Sequence, residues 1–265
     1  MIKYHSDAGR RLALAGCVLL VLATAGCAGK NKNRVPPDPA IADQYLMERG
    51  REALAKKHWM DSREFFHQIL DNYSGSPLRS AAKLALGDSY LGEGSTESLI
   101  LAANEYREFM TFYPTDERLD YAQYQLAMTH FKEMKKPDRD QTATKEALAE
   151  FDTFFQRFPS SPLTPEVRQK WRVARDRLSE GAFTVGVFYY KKHWYPGAAD
   201  RFNEVIREDP GYTHIDAVYY YLAETFAGAD RKGEAIPLFD RVVKEYRTSE
   251  YTAKAQKRLH ELNAQ

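Results

Sequence analysis

The stretch GVFYYKKHWYPGAADRFNEV, residues 186–205, decides the fold. Small Gly186 sits in an apolar run, Ala198 follows 12 residues later, the aromatic Phe202 four after that, and apolar Val205 three further on. The order recurs as Gly50/Ser62/Phe66/Ile69, Gly87/Ala102/Tyr106/Phe109, Ala127/Ala147/Phe151/Phe154 and Ala223/Ala235/Phe239/Val242. Two small residues at this spacing let a pair of helix axes approach, and the aromatic fills the gap against the next pair. Pro114, Pro159 and Pro210 fall where the second helix of a pair should end, since proline cannot continue a helix. The first, fourth and fifth units keep the spacing of 12; the second and third stretch it to 15 and 20, which predicts longer helix-to-helix turns there. Lys-Lys-His-Trp occurs at 56–59 and again at 191–194, but slipped by one position, so that Trp59 aligns with Tyr195.

A recurring helix pair of about 34 residues is the signature of the tetratricopeptide repeat. Such a unit cannot bury its apolar face alone and must stack on its neighbours. The predicted fold class is therefore all-α, a solenoid of about five helix pairs. A capping helix is expected within Ser249–Leu262, where Ala253, Gln256, Leu259 and Leu262 keep a helical period. Between the third and fourth units, Val167, Trp171, Ala174, Leu178, Ala182, Val185 and Tyr189 follow one another at steps of three or four. With Pro162 and Pro165 near its start, where proline is tolerated, this predicts a single helix of roughly 25 residues, about 38 Å long. It would close an N-terminal arm (41–160) and open a C-terminal arm (161–265).

The first 26 residues read as a leader. Lys3, Arg10 and Arg11 give a positive start, Leu12 to Ala25 an apolar core, and Thr24-Ala25-Gly26-Cys27 a small-residue cleavage site. That core suits a signal peptide and is short for a membrane span. A cysteine placed there resembles the bacterial lipoprotein box, whose thiol is acylated, which marks Cys27 as the lipidation site. Cys17 follows a similar motif, but leaves only Leu12 to Gly16 as an apolar core. Ala28, in place of the aspartate that retains lipoproteins at the inner membrane, implies sorting to the outer membrane. Residues 27–40, with Lys30, Lys32, Arg34, Pro36, Pro37 and Pro39, read as the acylated cysteine and a stiff tether.

Charge and motifs narrow the chemistry. The chain carries 38 basic and 37 acidic residues; without the leader's three basic residues and one acid, 35 face 36. That balance offers no electrostatic case for nucleic acid. Gly92-Glu93-Gly94-Ser95 lacks the third glycine of a phosphate-binding loop, and His260-Glu261 lacks the second histidine of a zinc protease. The seven histidines are scattered without ligand spacing, and no serine or cysteine stands in a nucleophile elbow. The expectation is a non-enzyme with no catalytic residues, metal or cofactor.

In tetratricopeptide folds the first helix of each unit lines a groove. Counting from the small residue gives Met47, Arg51 and Leu54, then Leu84, Asp88 and Leu91, then Tyr124, Met128 and Phe131. Apolar and Met-lined with one arginine, such a groove would suit an extended peptide bearing an aromatic residue and a carboxylate.

The chain also resembles a known family, the BamD (YfiO/ComL) outer-membrane assembly lipoproteins. The likeness rests on Cys27 and its tether, Asp138-Arg139-Asp140 ahead of a helix over 143–158, Phe158-Pro159-Ser160-Ser161 and Asp176-Arg177-Leu178. It continues through Phe183-Thr184-Val185, Phe188-Tyr189-Tyr190 and Ala198-Ala199-Asp200-Arg201. The resemblance implies a lipid-anchored protein on the periplasmic face of the outer membrane, in the complex that inserts β-barrel proteins. Its first three repeats would receive unfolded precursors, and its last two would dock on the barrel insertase, alongside the complex's other lipoproteins. Arg201 aligns with a family arginine implicated in docking and Tyr195 adjoins it; His193-Trp194 replaces a frequent family glycine. A periplasmic scaffold for cell-envelope or division proteins is the alternative, and an enzyme acting on peptidoglycan a third reading.

Overall fold

A computed structural model describes residues 38–264, so the leader, Cys27 and most of the tether lie outside the described residues. Among the described residues, 38–45 group apart from 46–264, and the latter hold the stacked pairs.

Eleven α-helices and no strand occur among the described residues: α1 (Pro39–Ala55), α2 (Trp59–Asn72), α3 (Arg79–Glu93), α4 (Thr96–Phe112), α5 (Leu119–Glu133), α6 (Thr142–Arg157), α7 (Thr164–Lys191), α8 (Tyr195–Glu208), α9 (Ile215–Gly228), α10 (Lys232–Glu245) and α11 (Thr252–Asn263). Turns of a few residues force each helix to run antiparallel to its predecessor. The five unit aromatics, Phe66, Tyr106, Phe151, Phe202 and Phe239, are all fully buried, as are Ser62, Ala102, Ala147, Ala198 and Ala235. Where the small residue of the first helix is glycine, it lies directly against that ring. A Cβ placed on Gly87 would lie 2.7 Å from Tyr106, and one on Gly186 2.6 Å from Phe202. Each such ring contributes about 2–3 kcal/mol of burial.

The turn within a pair has its own rule. Lys57, His193 and Asp230, each seven residues after the small residue, sit at φ near 59°. His58, Trp194 and Arg231 then donate their backbone N–H to carbonyls five residues back, the Schellman closure of a helix. Gly94 holds the same place in the second unit, at φ 73°.

The expected long turn of the second unit is corrected. Only Gly94 and Ser95 separate α3 from α4; the extra residues lengthen α4 to 17, where α2, α8 and α10 have 14. Ser95 accepts from the Ser98 backbone N–H at 3.2 Å, so the helix starts at once. The third unit does carry a long turn, residues 134–141.

Polar staples join successive pairs. In the second to fifth units, a Ser or Asp seven residues before the small residue bonds to the turn that follows its own pair. Arg118 donates to Ser80 at 2.9 Å, Ser161 to Asp120 at 2.6 Å, Ser179 to Asp209 at 2.5 Å and Ser249 to Asp216 at 2.5 Å.

Helix α7 runs 28 residues without a break at Ser179–Gly181, about 42 Å at 1.5 Å per residue. Val167 and Ala174 pack into the core of the third pair, and Gly186 receives Phe202 of the fourth. Gly181 is a crossing point: a Cβ there would lie 2.9 Å from the Pro137 carbonyl oxygen, and Arg177 donates to the Lys135 carbonyl at 2.7 Å.

Candidate functional site

The groove positions separate into two groups. Met47, Leu84, Leu91 and Tyr124 are 3–8 % exposed and belong to the interior, which corrects the expectation that they line an open groove. Leu84 and Leu91 pack with Tyr106, Phe109 and Leu126. The Tyr124 ring lies 6.4 Å from Phe151, and its hydroxyl donates to Glu166 on α7 at 2.7 Å. Counting from the small residue selects the inner face of the first helix, but neighbouring helices close over much of that face. Arg51 is exposed, while Met128 and Phe131 are half-buried. The Lys170 ammonium stands 5.7 Å from the Phe131 ring.

Asp88 is held from below. The hydroxyls of Tyr106 and Tyr121 both donate to its Oδ1, at 2.8 and 2.9 Å. Burial raises its pKa, and the two hydrogen bonds only partly offset that. Burial beside this carboxylate also pushes the Tyr106 hydroxyl well above the ordinary tyrosine value. The sequence could not show this triad, because its members come from three helices, α3, α4 and α5.

Tyr195 is half-buried at the start of α8. Its ring covers Gly228, where a Cβ would lie 2.6 Å away, and it stacks on His193 at 5.9 Å. Trp59 covers Gly92 at the same 2.6 Å, which confirms the pairing of Trp59 with Tyr195 across the slipped tetrapeptide. Tyr195 therefore docks the fifth pair, leaving only part of its ring accessible. Arg201 is exposed and pairs with Glu204 at 2.7 Å, one turn along α8. Such a surface pair is worth a few tenths of a kcal/mol.

Arg201 also borders a cleft of about 590 Å³ between α7, α8 and the turn of the third pair, with Arg139, Lys145, Arg175, Leu178 and Val185. Arg139 and Arg201 are 62 positions apart in sequence and reach one concavity because α7 packs on both the third and the fourth pair. Beside the cleft, Asp209 is nearly solvent-free. Burial would raise its pKa, but hydrogen bonds from Arg172, at 3.0 Å, and from Ser179 outweigh that and lower it. Among the described residues, no group of three or more His, Cys, Asp or Glu is placed to hold a metal ion. No described helix is long and apolar enough to cross a membrane.

Comparison with known proteins places these features. A tetratricopeptide-repeat model matches residues 217–249, the fifth pair. Three relatives bear the name outer membrane protein assembly factor BamD. That of Caulobacter vibrioides is 26% identical over 219 residues, 82% of this chain and 70% of its own. The Rickettsia prowazekii protein is 24% identical over 213 residues, 80% and 82% of the two chains. The Vibrio cholerae protein is 22% identical over 182 residues, 65% and 74%. The model of YfiO, described as an outer membrane lipoprotein, matches residues 39–227, from the first described helix through most of α9. With so much of the length accounted for by one model, the chain belongs to the YfiO family of outer membrane lipoproteins.

Proposed function

We propose that this protein is a non-enzymatic scaffold of β-barrel assembly, anchored through acylated Cys27 on the periplasmic face of the outer membrane. Its first three repeats bind unfolded outer membrane protein precursors, and its last two dock on the barrel insertase. The family match over residues 39–227, with relatives named as assembly factors, carries the proposal.

The accessible side chains support each half. Arg51 offers a cation to a peptide carboxylate, with Met128 and Phe131 as adaptable apolar contacts. Exchanging the weak Arg201–Glu204 pair for a partner's carboxylate costs little, so Arg201 is available for docking. Asp88 stays in the groove as a structural carboxylate, held by its two tyrosines.

Affinity purification of the tagged protein from detergent-solubilised envelopes should recover a β-barrel insertase. Arg201→Glu should lose it while the melting temperature stays unchanged. Recovery of division proteins without an insertase would overturn the proposal. For the groove, Arg51→Glu with Met128→Ala should weaken binding of a C-terminal barrel-strand peptide by about tenfold, the scale of one charge-assisted contact. Unchanged affinity would remove this groove from the function.

A further inference from the structure

Because successive helices are antiparallel, the turns inside each pair emerge at one end of the stack and the turns between pairs at the other. The two ends differ in charge. The inner turns carry Lys56-Lys57, Lys135-Lys136 and Arg139 with Asp138 and Asp140, Lys191-Lys192, and Arg231-Lys232 with Asp230, while the second pair's turn, Gly94-Ser95, has no basic residue. The turns between pairs carry Asp116 and Glu117 with Arg118, then Asp209, then Arg247 with Glu250, and none of them holds a lysine. In a chain whose net charge is +1, this asymmetry is a matter of placement rather than composition.

Helix α7 carries one of these lysine pairs at its end. The third pair's turn crosses it at Gly181, and the helix continues ten residues beyond, to Lys191. That is about 15 Å at 1.5 Å per residue. At this end of the helix Phe188 and Trp194 are each 54% exposed, and residues 188–196 contain no acid. The indole is held in place. A Cβ on Gly197 would lie 2.8 Å from it, and the Tyr189 ring meets it edge-on at 4.5 Å. The Lys192 ammonium lies 5.9 Å from the Phe188 ring. An oriented, half-exposed tryptophan beside a phenylalanine and two lysines matches the chemistry of a bilayer interface. There the rings sit at headgroup depth and the ammonium groups meet lipid phosphates.

We propose that the tip formed by Phe188 and Lys191–Trp194 contacts an anionic phospholipid surface directly, seating the C-terminal arm against the bilayer. This contact uses side chains other than Arg51 and Arg201, although the tip adjoins Tyr195 on the turn that precedes Arg201.

The test uses the full-length protein, purified from membranes and reconstituted in vesicles containing brominated acyl chains. The vesicles are phosphatidylcholine alone or phosphatidylcholine with roughly a third phosphatidylglycerol. The Trp194 contribution is the difference in emission between the wild type and Trp194→Phe, since Trp59 and Trp171 are common to both. We expect that contribution to be quenched at least about twofold more strongly in the anionic vesicles, and the excess to disappear at high salt. The double variant Lys191→Glu/Lys192→Glu, which alters exposed side chains, should abolish the excess with the melting temperature unchanged. Trp194 emission insensitive to brominated lipid in both vesicle types overturns the proposal. So does shielding from aqueous quencher that appears only when purified assembly-complex partners are added, which would assign the tip to a protein contact.

Discussion

Asp88 shows how one residue in a candidate groove can serve the fold first. Its raised pKa means that the folded state holds the proton more tightly than the unfolded chain, so ionising it costs stability. That cost is absent below the ordinary value of 3.8 and fully developed above the raised one. Asn at this position keeps an acceptor for Tyr106 and Tyr121 without the charge. Asp88→Asn should therefore melt above the wild type at neutral pH, with the gap closing at about pH 3. A gap that persists in acid would mean that the charge is not its cause. Asp209 has the opposite sign: its lowered pKa adds stability above the ordinary value of 3.8, and that stability is lost on acidification. Removing its main partner with Arg172→Ala should cost about 3 kcal/mol in urea unfolding, because a buried carboxylate loses its strongest donor.

At the scale of elements, two glycines should respond oppositely to alanine. Gly233, in the first turn of α10, has nothing within 4 Å of where an alanine methyl would sit, so Gly233→Ala should stabilise by up to about 1 kcal/mol. Gly186→Ala drives a methyl to 2.6 Å from the fully buried Phe202 and should destabilise by about 1–3 kcal/mol despite the better helix former. Thermal melts of the two variants side by side would decide this. Gly181 tests α7 as a crossing point. Gly181→Leu would collide with the Pro137 carbonyl, and hydrogen exchange should accelerate across residues 134–141 while α9 and α10 stay protected. The apolar period foresaw this long helix. It did not foresee the crossing at Gly181, because a sequence cannot show which backbone passes over a residue.

For the whole molecule, stacked pairs make stability local, each unit depending on its neighbours. Removing residues 246–265 deletes α11 and uncovers Ala255's partners among α9 and α10, which share one core. Exchange should rise across α9 and α10 and remain unchanged in α3 and α4, whose core is a separate cluster. Uniform loosening along the chain would instead reveal a single cooperative unit. The candidate surfaces live at this scale as well. Arg139 and Arg201 line one cleft, and the lysine-bearing turns share an end, through the alternation of helices along α7 and not through any local motif.

The sequence by itself determined the helical pairing, the five buried aromatics and the continuous α7, because spacing alone dictates which side chains can share a helix face. It also carried enough of the family's pattern to identify the lipoprotein relationship. Only the tertiary structure decided that Met47, Leu84, Leu91 and Tyr124 face inward, and that Tyr195 is mostly spent on Gly228. The three extra residues of the second unit likewise proved to be helix and not turn. The physical reason is common to these cases. Periodicity fixes the direction in which a side chain points along its own helix, while exposure depends on what the neighbouring helices bring against it.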